Sequence, residues 1–322
     1  MCANFRHTAL LLLAGLTLVA SAACSRRGSE SEAARSFRLP EIPAMISGGA
    51  ERAEYLMAHY WDDFFSGKGT CDSSAILGVP YGQVEAALAD YILMLENFPM
   101  EKARGFTASL FDKIESCQKA DTSLRVYPLM TELVCKYLYD PNSPYRSEDY
   151  YLPFVEGLCR SPFTLEQARS GYRFQLGKAR INPYGTTAPD FAFTDASGRR
   201  SSLHAKLGEY TILFFSNPGC HACGEIASLL SQNSLLSGLQ DAGRLKIISI
   251  YIDEDLALWR EHLGDYPDSW LKVYDHRLII RNEDLYFVRA IPSLYLLGPG
   301  GKVLLKDPDP ARLVRELERQ IN

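Results

Sequence analysis

The sequence predicts an all-α region followed by an α/β region whose central mixed sheet is flanked by helices. Three observations lead to this fold class. Apolar residues recur every three or four positions between residues 51 and 178, which is the spacing of amphipathic helices. Beyond Gly185, short β-rich runs alternate with helical segments. One of these runs ends at a turn and the motif Cys220-His221-Ala222-Cys223, a C-x-x-C pair.

The chain starts with the pattern of an export signal, residues 1–23. Arg6 precedes an apolar run over residues 8–19, and small residues follow it. A membrane-spanning helix needs about 20 apolar residues, so this run is too short to span a bilayer. The sequence Ser21-Ala22-Ala23-Cys24 resembles a bacterial lipoprotein signal, with Ser21 where Leu is usual. The resemblance implies that Cys24 is acylated and anchors the protein to a membrane; an ordinary cleaved signal is the alternative.

Residues 24–48 are polar and contain Pro40 and Pro43, which predicts a flexible tether between the membrane and the folded body. No acidic cluster follows Cys24, which favours a lipid-anchored protein that faces the periplasm. The chain carries 34 Lys and Arg against 39 Asp and Glu without long runs of like charge. This balance argues against nucleic-acid binding.

Residues 49–180 are predicted to form an all-α domain of about six helices. Pro80 and Pro99 stand near helix starts, where a missing N–H costs little, and Asp140–Pro144 is a clear break. Four cysteines fall in this region, where they either form two disulfides or remain buried thiols. They are Cys71, Cys117, Cys135 and Cys159.

Residues 181–322 are predicted to form the α/β domain. The predicted strands cover 191–194, 200–203, 210–216, 245–252, 271–274, 293–297 and 302–305. The predicted helices cover 220–239, 255–263 and 310–321. The C-x-x-C pair therefore opens a helix directly after a buried strand. A helix N-terminus carries about half a positive charge and free N–H donors, so it stabilises a thiolate.

This element order resembles the thioredoxin fold, and Ile291-Pro292-Ser293 before a predicted strand is a second mark of that fold. The resemblance is closest to membrane-tethered thiol–disulfide oxidoreductases of the TlpA/ResA type, over about residues 188–322. It implies that Cys220 attacks as a thiolate and that Cys223 resolves the mixed disulfide. It also implies a cis Ile291–Pro292 bond beside the sulfurs, where a peptide substrate pairs like an added strand.

The family resemblance implies no cofactor and partners that are thiol or disulfide proteins of the cell envelope. Electrons would be exchanged with another redox protein, and an inner-membrane dithiol donor is the expected partner. His221 either favours the Cys220 thiolate by its positive charge or is only a solvated residue of the helix face. The segment Tyr137–Tyr145 resembles the uncharacterised N-terminal domain of bacterial thioredoxin-like lipoproteins, which brings no function.

Two positions depart from thioredoxin. Gly219 stands where thioredoxin has a Trp lid, and Phe214 stands where it buries an acid that moves the resolving proton. Water or Glu225 could replace that acid. These losses keep a second function open, in which the helical domain binds an envelope partner and the α/β domain is a weakly catalytic or non-catalytic scaffold.

Other cysteine chemistry fits the sequence less well. A zinc site needs about four ligands, and the histidines at 204, 262 and 276 are scattered. Haem attachment needs C-x-x-C-H, but Gly224 follows Cys223. The peroxiredoxin pattern needs Thr three residues before its cysteine, where this chain has Asn217.

Overall fold

Residues 49–179 are almost entirely helical, as the apolar spacing predicts. The computed structural model describes residues 35–322, which form a single unit. The predictions for the signal peptide and for Cys24 lie outside the described residues. The helices of this part are α1 (Gly49–His59), α2 (Asp62–Ser66), α3 (Tyr81–Leu95), α4 (Met100–Ala120), α5 (Val126–Leu138), α6 (Glu148–Arg160) and α7 (Glu166–Ala179).

Helices α3 to α6 each bury an apolar stripe. On α3 the stripe includes Val84, Leu88, Tyr91 and Leu95, which are spaced at three and four residues and are fully or nearly fully buried. Pro80 is the N-cap residue of α3, and the N-cap of α4 is likewise a proline. These positions need no N–H donor for the helix, so proline is tolerated there.

The packed body begins before the predicted end of the tether at residue 48. The Arg35 guanidinium donates to the carbonyl oxygen of Leu77 at 2.9 Å. The Phe37 ring lies 5.2 Å from the Trp61 ring, between centroids, in an edge-on arrangement. Residues 35–37, predicted as part of the tether, therefore pack against the helical region, because Arg35 and Phe37 both contact its residues.

A two-stranded pair also interrupts the helical region, although the sequence shows no strand pattern there. Strands β1 (Ala75–Ile76) and β2 (Val79–Pro80) pair antiparallel. The turn between them has Leu77 at φ 53° and Gly78 at φ 75°. Two successive positive φ values are typical of a type I′ hairpin turn, and Gly adopts them without strain.

The C-terminal part is a seven-stranded mixed sheet flanked by helices, which confirms the predicted fold class. Its strands are β3 (Ala192–Asp195), β4 (Arg200–Ser202), β5 (Tyr210–Phe215), β6 (Leu245–Tyr251), β7 (Leu271–Tyr274), β8 (Ser293–Gly298) and β9 (Lys302–Lys306). Its helices are α8 (His221–Ser231), α9 (Ser234–Asp241), α10 (Leu256–Glu261), α11 (Ile279–Asn282) and α12 (Pro310–Ile321).

The sheet order is β4-β3-β7-β6-β5-β8-β9. Strands β5, β6 and β7 run parallel, and β8 pairs antiparallel with β5. Strands β5 and β6 read as near-continuous apolar runs because the sheet is covered on both faces.

Two features of this part differ from the prediction. The helix predicted over 220–239 is broken into α8 and α9, because the Asn233 side chain accepts a hydrogen bond from the Leu236 N–H at 3.1 Å and caps a new helix. Helix α11 is absent from the sequence-based expectation. It begins after Leu278, which has φ 53°.

A buried ion pair joins the helical region to the sheet. Lys306 at the end of β9 lies 2.6 Å from Glu148 at the start of α6, and their side chains are 1% and 5% exposed. The Lys306 ammonium also donates to the carbonyl oxygens of Lys178 and Ile181. Across residues 35–322, no helix combines the length and the apolar character that crossing a membrane requires.

Candidate redox site

The C-x-x-C pair lies where the central strand meets a helix. Every residue of β5 is buried, and the strand ends at Phe215. The chain turns through Asn217-Pro218-Gly219, and α8 begins at His221 with Cys220 as its N-cap residue. Gly219 has φ 67°, a backbone conformation that side-chain-bearing residues rarely adopt. The turn therefore explains why an aromatic residue is absent at position 219.

The two cysteines of the pair differ sharply in exposure. Cys220 is partly exposed, and its sulfur accepts a hydrogen bond from the Cys223 N–H at 3.3 Å. Cys223 lies one turn along α8 and is 2% exposed. Burial, together with a hydrogen bond from its thiol to Cys220, raises the pKa of Cys223 to about 12. At neutral pH, Cys223 is therefore a protonated thiol beneath an accessible sulfur.

The predicted proline element lies at the same end of the sheet. The Ile291–Pro292 peptide bond is cis, as predicted. Strand β8 starts directly after Pro292, and its first residue, Ser293, is paired with Phe215 at the end of β5. This register brings Ile291-Pro292 to the turn that carries the cysteines. Ile291 and Cys220 also pack against the same core cluster.

His221 lies on the outer face of α8. Its side chain is 89% exposed, and Nδ1 is 3.5 Å from the Glu225 carboxylate. Glu225 is also exposed, whereas Cys223 is buried on another face of the helix. The structure thus brings His221 and Glu225 together in solvent and does not bring Glu225 to the buried sulfur.

An aromatic cluster fills the space around the position of the absent acid. Phe214 is fully buried and packs edge-on against Tyr266 and Trp270, with ring centroids 6.0 and 5.9 Å apart. Burial raises the pKa of the Tyr266 phenol, a hydrogen bond with Ser216 opposes that rise, and the charges of Cys223 and Cys220 add to it. Tyr266 is therefore a titratable group close to the cysteine pair.

Sequence reasoning missed Tyr266 because it belongs to no motif. It lies in the loop between α10 and β7, and its partners come from other elements of the fold. A second polar contact under the site was also missed. The hydroxyls of Ser216 and Ser249 lie 3.1 Å apart; both residues are buried, Ser216 directly after β5 and Ser249 within the neighbouring β6. The sequence signal for this contact was Ser216, a small hydroxyl residue directly after the apolar strand β5.

The remaining described cysteines are free thiols. None of the six cysteines in residues 35–322 is in a disulfide, and the four of the helical region are partly buried. Burial raises the pKa of Cys135 to about 11, and its sulfur lies 3.4 Å from the Tyr151 hydroxyl. These thiols fit the buried-thiol alternative.

No cluster of three or more possible metal ligands occurs in the described part of the chain. Two of the three scattered histidines, His204 and His262, have other partners. The Nε2 of His204 lies 2.7 Å from the Ala188 carbonyl oxygen, and the Nδ1 of His262 lies 2.8 Å from Asp265.

The sheet, the C-x-x-C turn and the cis-proline together define a thioredoxin-like protein. The family described as a domain of unknown function, DUF5106, matches residues 19–182, just over half of the chain. The chain belongs to this family. The match covers the helical region, for which the sequence predicted an uncharacterised domain.

Similar solved structures come from Bacteroides species. A thioredoxin-like protein from Bacteroides caccae shares 36% identity, with 89% of this chain and 98% of that chain covered and a TM-score of 0.71. The C-terminal domain of an uncharacterised protein from Bacteroides fragilis shares 42% identity over 43% of this chain and 99% of its own, with a TM-score of 0.42. No curated protein matches the sequence.

Proposed function

We propose that this protein is a thiol–disulfide oxidoreductase that exchanges disulfides with proteins of the cell envelope. The observation that carries the proposal is the asymmetry of the cysteine pair. Cys220 presents a partly exposed sulfur at a helix N-terminus, while Cys223 is buried and keeps its proton at neutral pH. One sulfur can reach a partner, and the other is held back for an intramolecular step.

In the first step, the Cys220 thiolate attacks one sulfur of a client disulfide. The S–S bond of the client breaks, a Cys220–client disulfide forms, and the second client sulfur leaves as a thiolate. The N–H of Cys223, which already points at the Cys220 sulfur, stabilises negative charge there. The edge at Ile291-Pro292 would receive the client backbone as an added strand.

In the second step, the Cys223 thiol gives up its proton and its sulfur attacks the Cys220 sulfur. The mixed disulfide breaks, a Cys220–Cys223 disulfide forms, and the client leaves as a dithiol. Two electrons pass from the cysteine pair to the client. A protein dithiol of the membrane must then reduce the pair again. The reverse sequence of the same steps oxidises a client.

Trapping the mixed disulfide tests this function in the cell that makes the protein. Cys223→Ser removes the resolving sulfur, so covalent complexes through Cys220 should accumulate on non-reducing gels. Cys220→Ser should trap nothing. Cys159→Ser, which alters a partly buried thiol of the helical region, is the matched control and should behave as the wild type. Equal levels of covalent complexes in the Cys220→Ser and Cys223→Ser variants would refute the exchange mechanism.

The site of action is proposed to be the periplasmic side of a membrane, with Cys24 as the lipid anchor. The support is the sequence Ser21-Ala22-Ala23-Cys24 after an apolar run. Cys24→Ser should move the protein from the membrane fraction to the soluble fraction of lysed cells. Retention of the variant in the membrane fraction would contradict the lipid anchor without affecting the redox proposal.

A second candidate is a binding or scaffold protein that uses its helical region. Phe214 and Gly219 favour it, because they replace the two thioredoxin features that support turnover. The variant with both Cys220 and Cys223 changed to Ser distinguishes the candidates. A scaffold keeps its cellular function in this variant, whereas an oxidoreductase loses it.

A further inference from the structure

The segment that leads into the cis-proline has no regular structure of its own. Helix α11 ends at Asn282 and β8 begins at Ser293. Residues 284–289, called the pre-proline segment below, run between them. Asp284 at its start has φ 49°, in the left-handed region that Asp adopts more readily than most residues. Contacts with other elements hold the segment in place: in its middle, the buried Tyr286 donates its hydroxyl to the Pro189 carbonyl oxygen at 2.7 Å.

The first half of the pre-proline segment is held by residues at the end of α7 and just after it. The Lys178 ammonium of α7 lies 2.6 Å from the Asp284 carboxylate. The Asn182 side-chain amide donates to the Leu285 carbonyl oxygen at 2.8 Å. Lys178 also lies over the Phe287 ring, 5.4 Å from its centroid. These contacts tie three positions of the segment to residues that precede the sheet in the chain.

The end of the segment is held by Arg289, three residues before Pro292. Its guanidinium donates to the Tyr139 carbonyl oxygen at 2.8 Å and lies over the Tyr139 ring, 4.2 Å from its centroid. Tyr139 follows the last residue of α5, and its ring packs 5.0 Å from the ring of the fully buried Tyr151. Arg289 thus rests on an aromatic pair that the helical core fixes in position.

Resting on the proposed function, we infer that Arg289 is a positioning residue through which the helical region holds the peptide-binding edge. Arg289 binds Tyr139 of the helical region and thereby positions Ile291-Pro292. A pre-organised edge needs less ordering when a peptide binds, so it binds the peptide faster and more tightly. The helical region then acts on the redox site without touching the sulfurs. This gives the Tyr137–Tyr145 motif a task that its sequence does not reveal.

The test compares two probes that react with the same sulfur. One is a decapeptide whose single cysteine forms a disulfide with thionitrobenzoate, and the other is cysteine with the same leaving group. Cys220 attacks the cysteine sulfur, and thionitrobenzoate leaves as a coloured thiolate. Only the decapeptide can pair with the edge at Ile291-Pro292. The ratio of the two rate constants therefore measures the contribution of the edge.

Arg289→Gln should lower the decapeptide rate by about 3- to 10-fold and leave the cysteine rate unchanged, because it removes the charge that rests on the Tyr139 ring. Arg289→Lys should restore part of the loss. Tyr139→Leu should act like Arg289→Gln, whereas Tyr139→Phe keeps both the ring and the carbonyl and should match the wild type. Arg315→Gln is the matched control, since Arg315 of α12 pairs with Glu96 of the helical region elsewhere, at 2.7 Å.

Two results would overturn the positioning role. One is an unchanged decapeptide rate in Arg289→Gln, and the other is an equal fall for both probes, which would mean damage to the cysteine turn itself. If the wild type reacts with neither probe, the proposed function fails, and hydrogen exchange decides the positioning separately. Backbone amides of residues 284–293 should then exchange at least tenfold faster in Arg289→Gln, with α8 unchanged; equal exchange in both proteins refutes the role.

Discussion

The buried thiol of Cys223 gives the sharpest chemical prediction. Alkylating reagents such as iodoacetamide react with thiolates, not with thiols. In the reduced folded protein, Cys223 is 2% exposed and its pKa is raised by burial. We therefore expect a brief pulse of iodoacetamide at pH 8 to modify Cys220 and to spare Cys223.

The size of the protection follows from the structure. The pKa of Cys223 rises from an ordinary value of 9.0 to about 12. At pH 8 this corresponds to a thiolate fraction roughly a thousandfold smaller than in the unfolded chain, or ~4 kcal/mol. Exclusion of the reagent by burial can only add to the effect. A more basic thiolate is also a better nucleophile, which offsets part of this factor. Alkylation of Cys223 should thus be more than about tenfold slower in the folded chain than in urea.

Mass spectrometry of tryptic peptides measures both rates. Lys206 and Arg244 bracket one peptide that holds both cysteines, so fragment ions must separate Cys220 from Cys223. The same pulse in urea supplies the unfolded reference for each sulfur. If Cys223 in the folded protein is alkylated within tenfold of its rate in urea, the burial argument and the division of roles between the two cysteines are refuted.

Three further outcomes test separate parts of the structure. Tyr266→Phe keeps the ring packing but removes a hydrogen-bond donor close to the cysteine pair, which would stabilise the Cys223 thiolate as it forms. Resolution of a Cys220 mixed disulfide should therefore slow by roughly 3- to 10-fold in stopped-flow measurements, and an unchanged rate would show that the hydroxyl does not act on Cys223. Burial raises the pKa of Asp307 from 3.8 to about 6, so the folded state binds this proton more tightly than the unfolded state. The charge of the contacting Arg146 opposes this rise. The contribution of Asp307 to stability is greatest below pH 4 and is lost as the pH rises through 6, a loss that Asp307→Asn should abolish in urea unfolding at pH 4 and pH 7. Gly157→Ala would place a Cβ 2.4 Å from the Phe111 ring, so it should destabilise the protein by ~1–3 kcal/mol, whereas Gly171→Ala, with no atom within 4 Å, should be neutral or stabilising by ~0.5–1 kcal/mol in the same assay.

Much of the α/β part could be predicted because its signals are local. The strand at residues 271–274 agrees with β7 at both ends, and the predicted hairpin forms from β3 and β4. A buried parallel strand needs a continuous apolar run, and β5 and β6 have one. The C-x-x-C turn is also local, since Gly219 and the helix start lie within a few residues of each other.

The features that escaped prediction depend on distant partners. Arg289 and Tyr139 are separated by 150 positions, and neither belongs to a motif that names the other. Phe37 is apolar within a polar stretch, and the distant aromatic rings of Tyr60, Trp61 and Phe64 form the site into which it packs. The break between α8 and α9 has a local cause, the Asn233 cap. It was still not predicted, because Asn is disfavoured inside helices but not excluded from them. The positions of Arg289 and Phe37 thus depend on side-chain contacts between elements, which the periodicity of apolar residues does not reveal.

The replacement of an acid by Phe214 has a consequence for the resolving step. A buried carboxylate could accept the Cys223 proton, but Tyr266, a titratable side chain close to the pair, is a phenol whose pKa is raised by burial. A neutral phenol at physiological pH donates a hydrogen bond and accepts no proton. The proton of Cys223 must therefore leave to solvent or to the client thiolate, which slows resolution and lengthens the life of the mixed disulfide. A long-lived mixed disulfide keeps the client bound at the site for longer, so binding of the client backbone to the edge at Ile291-Pro292 matters more. Arg289 holds that edge in position.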